Sequence, residues 1–350
     1  MKLLYGVQGT GNGHIGRARA MATAFSKQNV QVDFLFSGRA PEAYFSMDEF
    51  GSYQTRRGLT FYTEQGRINL LKTIANNNPA QLLREIRQLD LSSYDLLLND
   101  FEPVSAWAAK KQQVPSIGIS HQNAFRFDVP KVGMNVMDRM VMKHFAPTNY
   151  HLGLHWYHFN QPILPPIVHC KSDMAISSEP IILVYLPFED LNTIRQLLQR
   201  IKNQRFVCYH PEQKEAIELD NLSLQPLSHE YFQTDLHRCQ GVIANGGFEL
   251  PSEALSLGKK LLLKPLQGQF EQQSNVQTLE QLGLCHSMPA LDAQTIIGWL
   301  NTKPQEPVRY PKVADAIVDW VLQGSWDNHQ PLWDSLWQQV EFPSTVKFSG

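Results

Sequence analysis

The 350-residue chain is short of cysteine, of net charge and of long apolar runs, and each shortage removes a class of protein. Its four cysteines, Cys170, Cys208, Cys239 and Cys285, form no Cys-x-x-Cys pair. Neither a zinc ribbon nor a disulfide framework is indicated, and a reduced, cytoplasmic setting is expected. A formal net charge of -2 leaves no basic field on the scale nucleic acid requires. No apolar run approaches the ~20 residues of a spanning helix. The first residues lack the apolar core and small-residue cleavage site of a signal peptide. What is present is 43% hydrophobic and 18% charged residues. That composition buries sizeable cores, and the length points to two domains.

Strand and helix patterns alternate from the start: strand Lys2–Gln8, helix Arg17–Gln28, strand Val30–Phe36 and a further strand over Thr60–Glu64. A helix in two pieces over Leu70–Leu89 follows, then strand Tyr94–Asn99, helix Val104–Gln112 and strand Pro115–Ser120. The pattern stops at Pro162-Ile163-Leu164-Pro165-Pro166, a stiff connector, and then resumes. In the second half Ile181–Leu186, Arg205–Tyr209, Leu222–Gln225, Gly241–Asn245 and Lys260–Lys264 read as strands. Leu191–Lys202, Tyr231–Arg238, Glu249–Leu257 and Asn275–Leu282 read as helices. The expectation is α/β, with two Rossmann-like doubly wound domains facing across a cleft: 1–165, then 166–325, with a helix and tail over 326–350 packing back. Leu332, Trp333, Leu336, Trp337 and Val340 give that last helix its apolar spacing.

The first strand runs into Gly11-Asn12-Gly13-His14-Ile15-Gly16, the spacing of a dinucleotide-binding turn. Asp33 lies near the acidic position of such a fold, and Ser37-Gly38-Arg39 would suit a 2′-phosphate. An NADP-dependent oxidoreductase is therefore one reading, but Gly6 and Gly9 extend the turn beyond that motif. The second half weighs against it. A strand ends in Asn245-Gly246-Gly247 and a helix opens at once. Pro251 sits in its first turn and Gly258 ends it. A helix N-terminus at a Gly-Gly turn favours phosphate. Glu253 follows one turn on, within reach of vicinal hydroxyls, and Glu271-Gln272-Gln273 with Asn275 offers carboxylate and amide groups at a strand-to-helix loop.

This stretch resembles the donor-binding signature of GT-B glycosyltransferases, closest to the MurG and UDP-glucuronosyltransferase-like groups, and the resemblance spans both domains. It implies a UDP-sugar donor held on the second domain, with Gly246 among the donor-binding residues, Gly247, Phe248, Glu249 and Leu250 cradling the diphosphate and Glu253 on the ribose. Glu271, Gln272 and Asn275 would lie at the donor sugar. It further implies His14 as catalytic base, oriented by Asp100, with Gly11, Asn12 and Gly13 on the acceptor side. Inverting transfer to an acceptor hydroxyl of a small molecule, glycan or lipid-linked molecule is the expected reaction. A UDP-sugar 2-epimerase of the same architecture and a non-catalytic nucleotide-sugar binding protein remain alternatives. Members of these groups usually carry a Gly-Ser turn after the first strand of the second domain, where this chain has Leu186-Pro187-Phe188. Base recognition is expected near Gln225-Pro226-Leu227.

Asp-x-Asp occurs nowhere in the chain. His151, His155 and His158 have no carboxylate at helical spacing, so no metal and no cofactor is expected. His121 ends a strand on the cleft edge, as an acceptor contact or as a hydrogen-bonded structural residue. Residues 125–145 carry four methionines among aromatic and basic side chains. A stripe of Met134, Met137, Met140 and Val141 reads first as core. Its alternative is an acceptor or membrane-surface patch, with Arg126, Arg139 and Lys143 meeting anionic headgroups.

Overall fold

The computed structural model describes residues 1–60, 63–64, 67–68, 77–169, 175–346 and 348. Six strands form the first sheet: β1 Lys2–Gln8, β2 Gln31–Ser37, β3 Tyr53–Arg56, β4 Leu96–Asp100, β5 Ser116–Ser120 and β6 Tyr150–Gly153. Their order is β3-β2-β1-β4-β5-β6 and every pairing is parallel. Helices α1 Asn12–Phe25, α2 Pro79–Gln88, α3 Pro103–Gln112 and α4 Val136–His144 accompany it. The central β4, Leu-Leu-Leu-Asn-Asp, is buried at every position, as a parallel strand covered on both faces must be. Strand order reverses between β1 and β4. The ends of those two strands therefore open on the crevice where ligands of such sheets bind.

The second sheet repeats the plan with β7 Glu179–Tyr185, β8 Arg205–Tyr209, β9 Ile217–Glu218, β10 Leu222–Gln225, β11 Cys239–Asn245, β12 Lys260–Lys264 and β13 His286–Ser287. The order is β9-β10-β8-β7-β11-β12-β13, with only β9 antiparallel. Its switch point lies between β7 and β11, at the ends that lead into Pro187 and into Gly246-Gly247. Helices α5 Leu191–Gln199, α6 His229–Arg238, α7 Glu249–Ser256, α8 Phe270–Gln281 and α9 Ala293–Leu300 pack around it.

Two last helices, α10 Val313–Gln323 and α11 Gln330–Trp337, return to the first half of the chain. Lys27 pairs with Asp315 at 2.8 Å and Gln28 donates to Asp319 at 2.9 Å. The indoles of Trp333 and Trp337 donate to the carbonyls of Gln161 and Ile163, and His329 Nε2 donates to that of Pro162. The proline-rich connector is thus held by donors from the end of the chain.

Several elements differ from the sequence reading. The third strand of the first sheet is Tyr53–Arg56, which its mixed polar composition conceals. Thr63–Glu64 belongs instead to a small antiparallel pair with Arg67–Ile68. Of the two-piece helix only Pro79–Gln88 is seen, capped by the Asn78 side chain. The piece from Leu70 to Ala75 lies outside the described residues, as does Cys170. Cys208, Cys239 and Cys285 are free thiols. Helix α8 begins at Phe270, five residues before the expected start, because the chain turns sharply at Gly268, whose φ is +77°. The stripe in 125–145 is not core. Helix α4 buries no residue, and Met137 and Met140 are 66% and 54% exposed.

Candidate active site

Helix α1 begins at Asn12, immediately after the Gly9-Thr10-Gly11 turn, so His14 stands in its first turn and Arg17 one turn on, on the same face. Asp100 closes β4, directly across the sheet from Val7. The next residue, Phe101, has φ +54°, rare for a non-glycine residue, and turns the chain away at this point. His14 Nδ1 lies 2.8 Å from Asp100 Oδ1, and Arg17 grips the same carboxylate twice, Nε to Oδ2 at 2.7 Å and Nη2 to Oδ1 at 2.9 Å. Burial would raise the Asp100 carboxyl, but Arg17 and His14 outweigh it and hold it below the usual carboxylate range. An ionised Asp100 accepts the Nδ1 proton of His14, which leaves Nε2 as the lone-pair nitrogen. The His14 side chain is 15% exposed and Asp100 is fully enclosed, so the imidazole alone of the pair reaches solvent.

Arg17 has a second partner. Its Nη1 donates to Glu249 Oε1, on the first residue of α7 in the other domain. Burial works against the guanidinium charge, yet Asp100 and Glu249 together hold Arg17 protonated. The Glu249 carboxyl is pushed up to about 8 by burial, against the pull of Arg17. The sequence reading missed Arg17. Its spacing of three from His14 on the same helix was the available signal.

Two cavities flank residues Gly11–His14. One, of about 110 Å³, is bounded by Asn12, Gly13 and Gly16 of the first domain and by Tyr185, Leu227 and Glu253 of the second. Glu253 accepts a hydrogen bond from Gln233 Nε2 at 3.1 Å, and burial pushes its carboxyl up to about 7. The other cavity, of about 240 Å³, holds His14, Phe101, Gln122, Phe188 and Glu271. Glu271 accepts from Gln122 Nε2 at 3.0 Å, and burial raises its carboxyl too. Helix α7, which borders the first cavity with Glu249, Leu250 and Glu253, has no side-chain cap among the described residues, so its first-turn N–H groups are not consumed by one.

The glycine turn does not carry a dinucleotide-binding acid. Asp33 sits near the far end of β2, opposite Leu4, where it pairs with Lys2 and accepts from Tyr94. Arg39 is occupied by Gly9 O and Asn12 Oδ1.

Other expected contacts are redirected by α8 starting early. On the helix, Asn275 lies between Glu271 and Gln272 in angle, and the three side chains take different partners. Gln272 Oε1 accepts from the backbone N–H groups of Gly246 and Leu266, and Asn275 Nδ2 donates to Gly246 O. Gln272 and Asn275 therefore brace the Gly-Gly turn. Both the N–H and the C=O of Gly246 are engaged by these two side chains. The Gly247 N–H turns back to Asn245 O at 2.8 Å. His121 is a structural residue and not an acceptor contact: it is 1% exposed, faces Leu154 O and Asn275 Oδ1, and stacks on Phe248 at 4.0 Å between ring centroids. Phe248 thus offers the cleft only its backbone. Asn12, expected on the acceptor side, bonds Tyr185 at 3.0 Å and borders the cavity of Glu253 with Gly13, while Gly11 borders that of His14. Leu250 lines the Glu253 cavity. Where a Gly-Ser turn was expected after β7, Phe188 enters the His14 cavity and Glu189 pairs with Lys264 at 2.6 Å.

His151, His155 and His158 do not converge on a metal. His151 bonds Thr148, and His155 is enclosed among the rings of His121, Phe125, Trp156 and Phe159. Another trio, Glu49, His169 and His229, brings one ligand atom each to within 4.8 Å of the others. Its Glu49 already faces Arg19 at 3.8 Å.

Two sheets of Rossmann order, each opening its switch point on one cleft with a histidine–aspartate pair on one side and an uncapped helix on the other, make up the GT-B architecture. The family model described as glycosyl transferase family 1 matches residues 1–304, and the chain belongs to that family. It is an enzyme that transfers glycosyl groups from nucleotide sugars. No curated protein matches the chain significantly. Among solved structures it is similar to SnogD, a glycosyltransferase from Streptomyces nogalater, at 16% identity and a TM-score of 0.55 over 92% of this chain and 99% of that one. A second is SsfS6 from Streptomyces sp. SF2575 complexed with thymidine diphosphate, at 14% identity and a TM-score of 0.59 over 92% and 99% of the two chains. The spinosyn rhamnosyltransferase SpnG, complexed with its aglycone, matches at 14% identity and a TM-score of 0.56 over 86% and 92%. At these identities the likeness is one of fold.

Proposed function

We propose that this enzyme moves a sugar from a pyrimidine nucleoside diphosphate, UDP by preference, to an acceptor hydroxyl with inversion and without a metal. The single observation that carries the reading is the convergence of His14, held by Asp100, from one domain with Glu253 and Glu271 from the other on two cavities that meet at the glycine turn. Glu253 would accept from the ribose hydroxyls, with Leu227 and Tyr185 beside the base, and Glu271 would accept from the donor sugar. His14 Nε2 takes the acceptor proton as the hydroxyl oxygen attacks the anomeric carbon, and the resulting imidazolium is stabilised by Asp100. The bond to the diphosphate breaks through an oxocarbenium-like state. Charge collects on the leaving phosphate beside the N-terminus of α7, whose N–H groups and dipole favour it. A single displacement inverts the anomeric centre. The missing Asp-x-Asp supports metal independence, since that helix supplies positive potential a divalent ion would otherwise provide.

The acceptor side is read from α4. Val136, Met137 and Met140 are exposed on it, and beside it Arg126, Lys131, Arg139 and Lys143 line a groove of about 600 Å³ with Met134 and Met142. Met142 also borders the His14 cavity. Apolar side chains ringed by cations suit an acceptor carried on an anionic membrane surface. No described helix is long and apolar enough to cross a membrane.

The test is a thermal-shift and calorimetric panel of UDP, TDP, their sugars and NADP(H), since a ligand of the native state raises Tm by mass action. Stabilisation by UDP above TDP is expected. Two of the similar structures were obtained with thymidine diphosphate, so the opposite order would reassign the base. Stabilisation by NADP(H) alone would overturn the reading.

A further inference from the structure

The Arg17–Glu249 contact crosses between domains, is buried, and has no part in the proton transfer just described. Arg17 is 2% exposed and Glu249 8%. The guanidinium spends one edge on Asp100 and its remaining Nη1 on Glu249, so the carboxylate that orients His14 is itself held by a side chain whose far end is anchored in the other domain. A second feature serves the same contact. A Cβ placed on Gly13 would lie 2.9 Å from Glu249 Cγ, and the φ of Gly13 is not in the left-handed region. Glycine is needed there for close approach and not for a turn. The first helical turn of α1 and the first residue of α7 fit together only because one of them lacks a side chain.

We propose that Glu249 is a positioning residue for the His14–Asp100 pair: by accepting from Arg17 Nη1 across the cleft, it fixes the guanidinium that holds Asp100, so the base is fully oriented only when the second domain is seated. The inference rests on His14 being the base. Removing Glu249 leaves Arg17 with a free Nη1 edge. The guanidinium can then swing toward His14 Nδ1, already 3.1 Å from Nη2, and compete with the ring's proton for that side of the imidazole. The proton then moves toward Nε2, the nitrogen that must be bare to accept the hydroxyl proton. Because Glu249 opens the helix proposed to meet the diphosphate, one motion of the second domain would deliver both the leaving-group stabiliser and the contact that readies the base.

The decisive measurement needs no turnover. The ¹⁵N shifts of a histidine ring report its tautomer, and the His14 signals are assigned by their loss in His14→Gln. Wild type is expected to show the Nδ1–H form. Glu249→Ala should show a mixture of tautomers, and Gly13→Ala, which forces the domains apart without touching a charged group, should do the same. Glu249→Gln should restore the wild-type spectrum, because an amide oxygen still accepts from Arg17. With a donor that the wild type turns over, kcat should fall about 10- to 100-fold in the two alanine variants, the scale of a misplaced catalytic group, and recover in Glu249→Gln. An unchanged His14 tautomer in a folded Glu249→Ala, or a Glu249→Gln that behaves like the alanine variant, overturns the proposal. Absence of any wild-type transfer would count against the glycosyl-transfer reading instead, and the spectra would still decide the linkage.

Discussion

Replacing Glu253 with glutamine should stabilise the empty protein and weaken its hold on the nucleotide, and the two effects have one cause. The carboxyl is buried beside Gln233 and raised from 4.5 to about 7. At about 1.4 kcal/mol per pH unit, its ionised form carries a penalty of about 3 kcal/mol in the folded state. Since the folded value lies above the unfolded one, the penalty is absent below about pH 4.5. It grows as pH rises toward 7 and is constant beyond. Glutamine keeps the shape and the hydrogen-bonding capacity without the charge. Glu253→Gln should therefore match wild type in urea unfolding at pH 4.5 and exceed it by about 3 kcal/mol at pH 8, a rise of roughly 4 °C in Tm for a chain of this length. The same charge is what two ribose hydroxyls would meet. Charge-assisted hydrogen bonds are worth roughly 1.5–3 kcal/mol each, so UDP affinity measured by calorimetry should fall at least about tenfold. A stability difference that does not change between pH 4.5 and pH 8 would refute the desolvation argument. Unaltered UDP affinity would remove Glu253 from the donor site.

His14→Ala should lower kcat by roughly 10²–10⁴-fold while donor affinity changes little, and steady-state kinetics beside calorimetry separates the two. Asp100→Asn should lower kcat less, and the double variant should lose less than the product of the singles, because the two residues act as a unit. Transfer or donor hydrolysis should survive EDTA; loss restored by manganese or magnesium would contradict a metal-free site. Met137→Ser with Met140→Ser should release the protein from anionic vesicles in a sedimentation assay and leave turnover of a water-soluble acceptor unchanged.

The sequence by itself determined the two parallel sheets and the chemistry at their edges. A fully apolar run such as Leu96-Leu97-Leu98 has one stable place, the centre of a covered sheet, and a Gly-Gly turn opening a helix is legible wherever it occurs. His14, Asp100, Glu253 and Glu271 were singled out from the two turns and from the family resemblance they carry. What escaped it was decided by tertiary packing. Whether Gln272 and Asn275 face a ligand or brace the Gly246 turn depends on α8 beginning at Phe270 and presenting those two residues inward. Whether His121 meets an acceptor or packs on Phe248 depends on a ring 127 residues away in the chain. Met137 and Met140 share the spacing of core residues, yet among the described residues nothing buries them. Arg17 reads as one more cation on a helix until Glu249 arrives from across the cleft. Local pattern fixes which atoms an element can present. Which of them are consumed by another element is a property of the folded pair of domains, and at this site that decides which residues remain for a ligand.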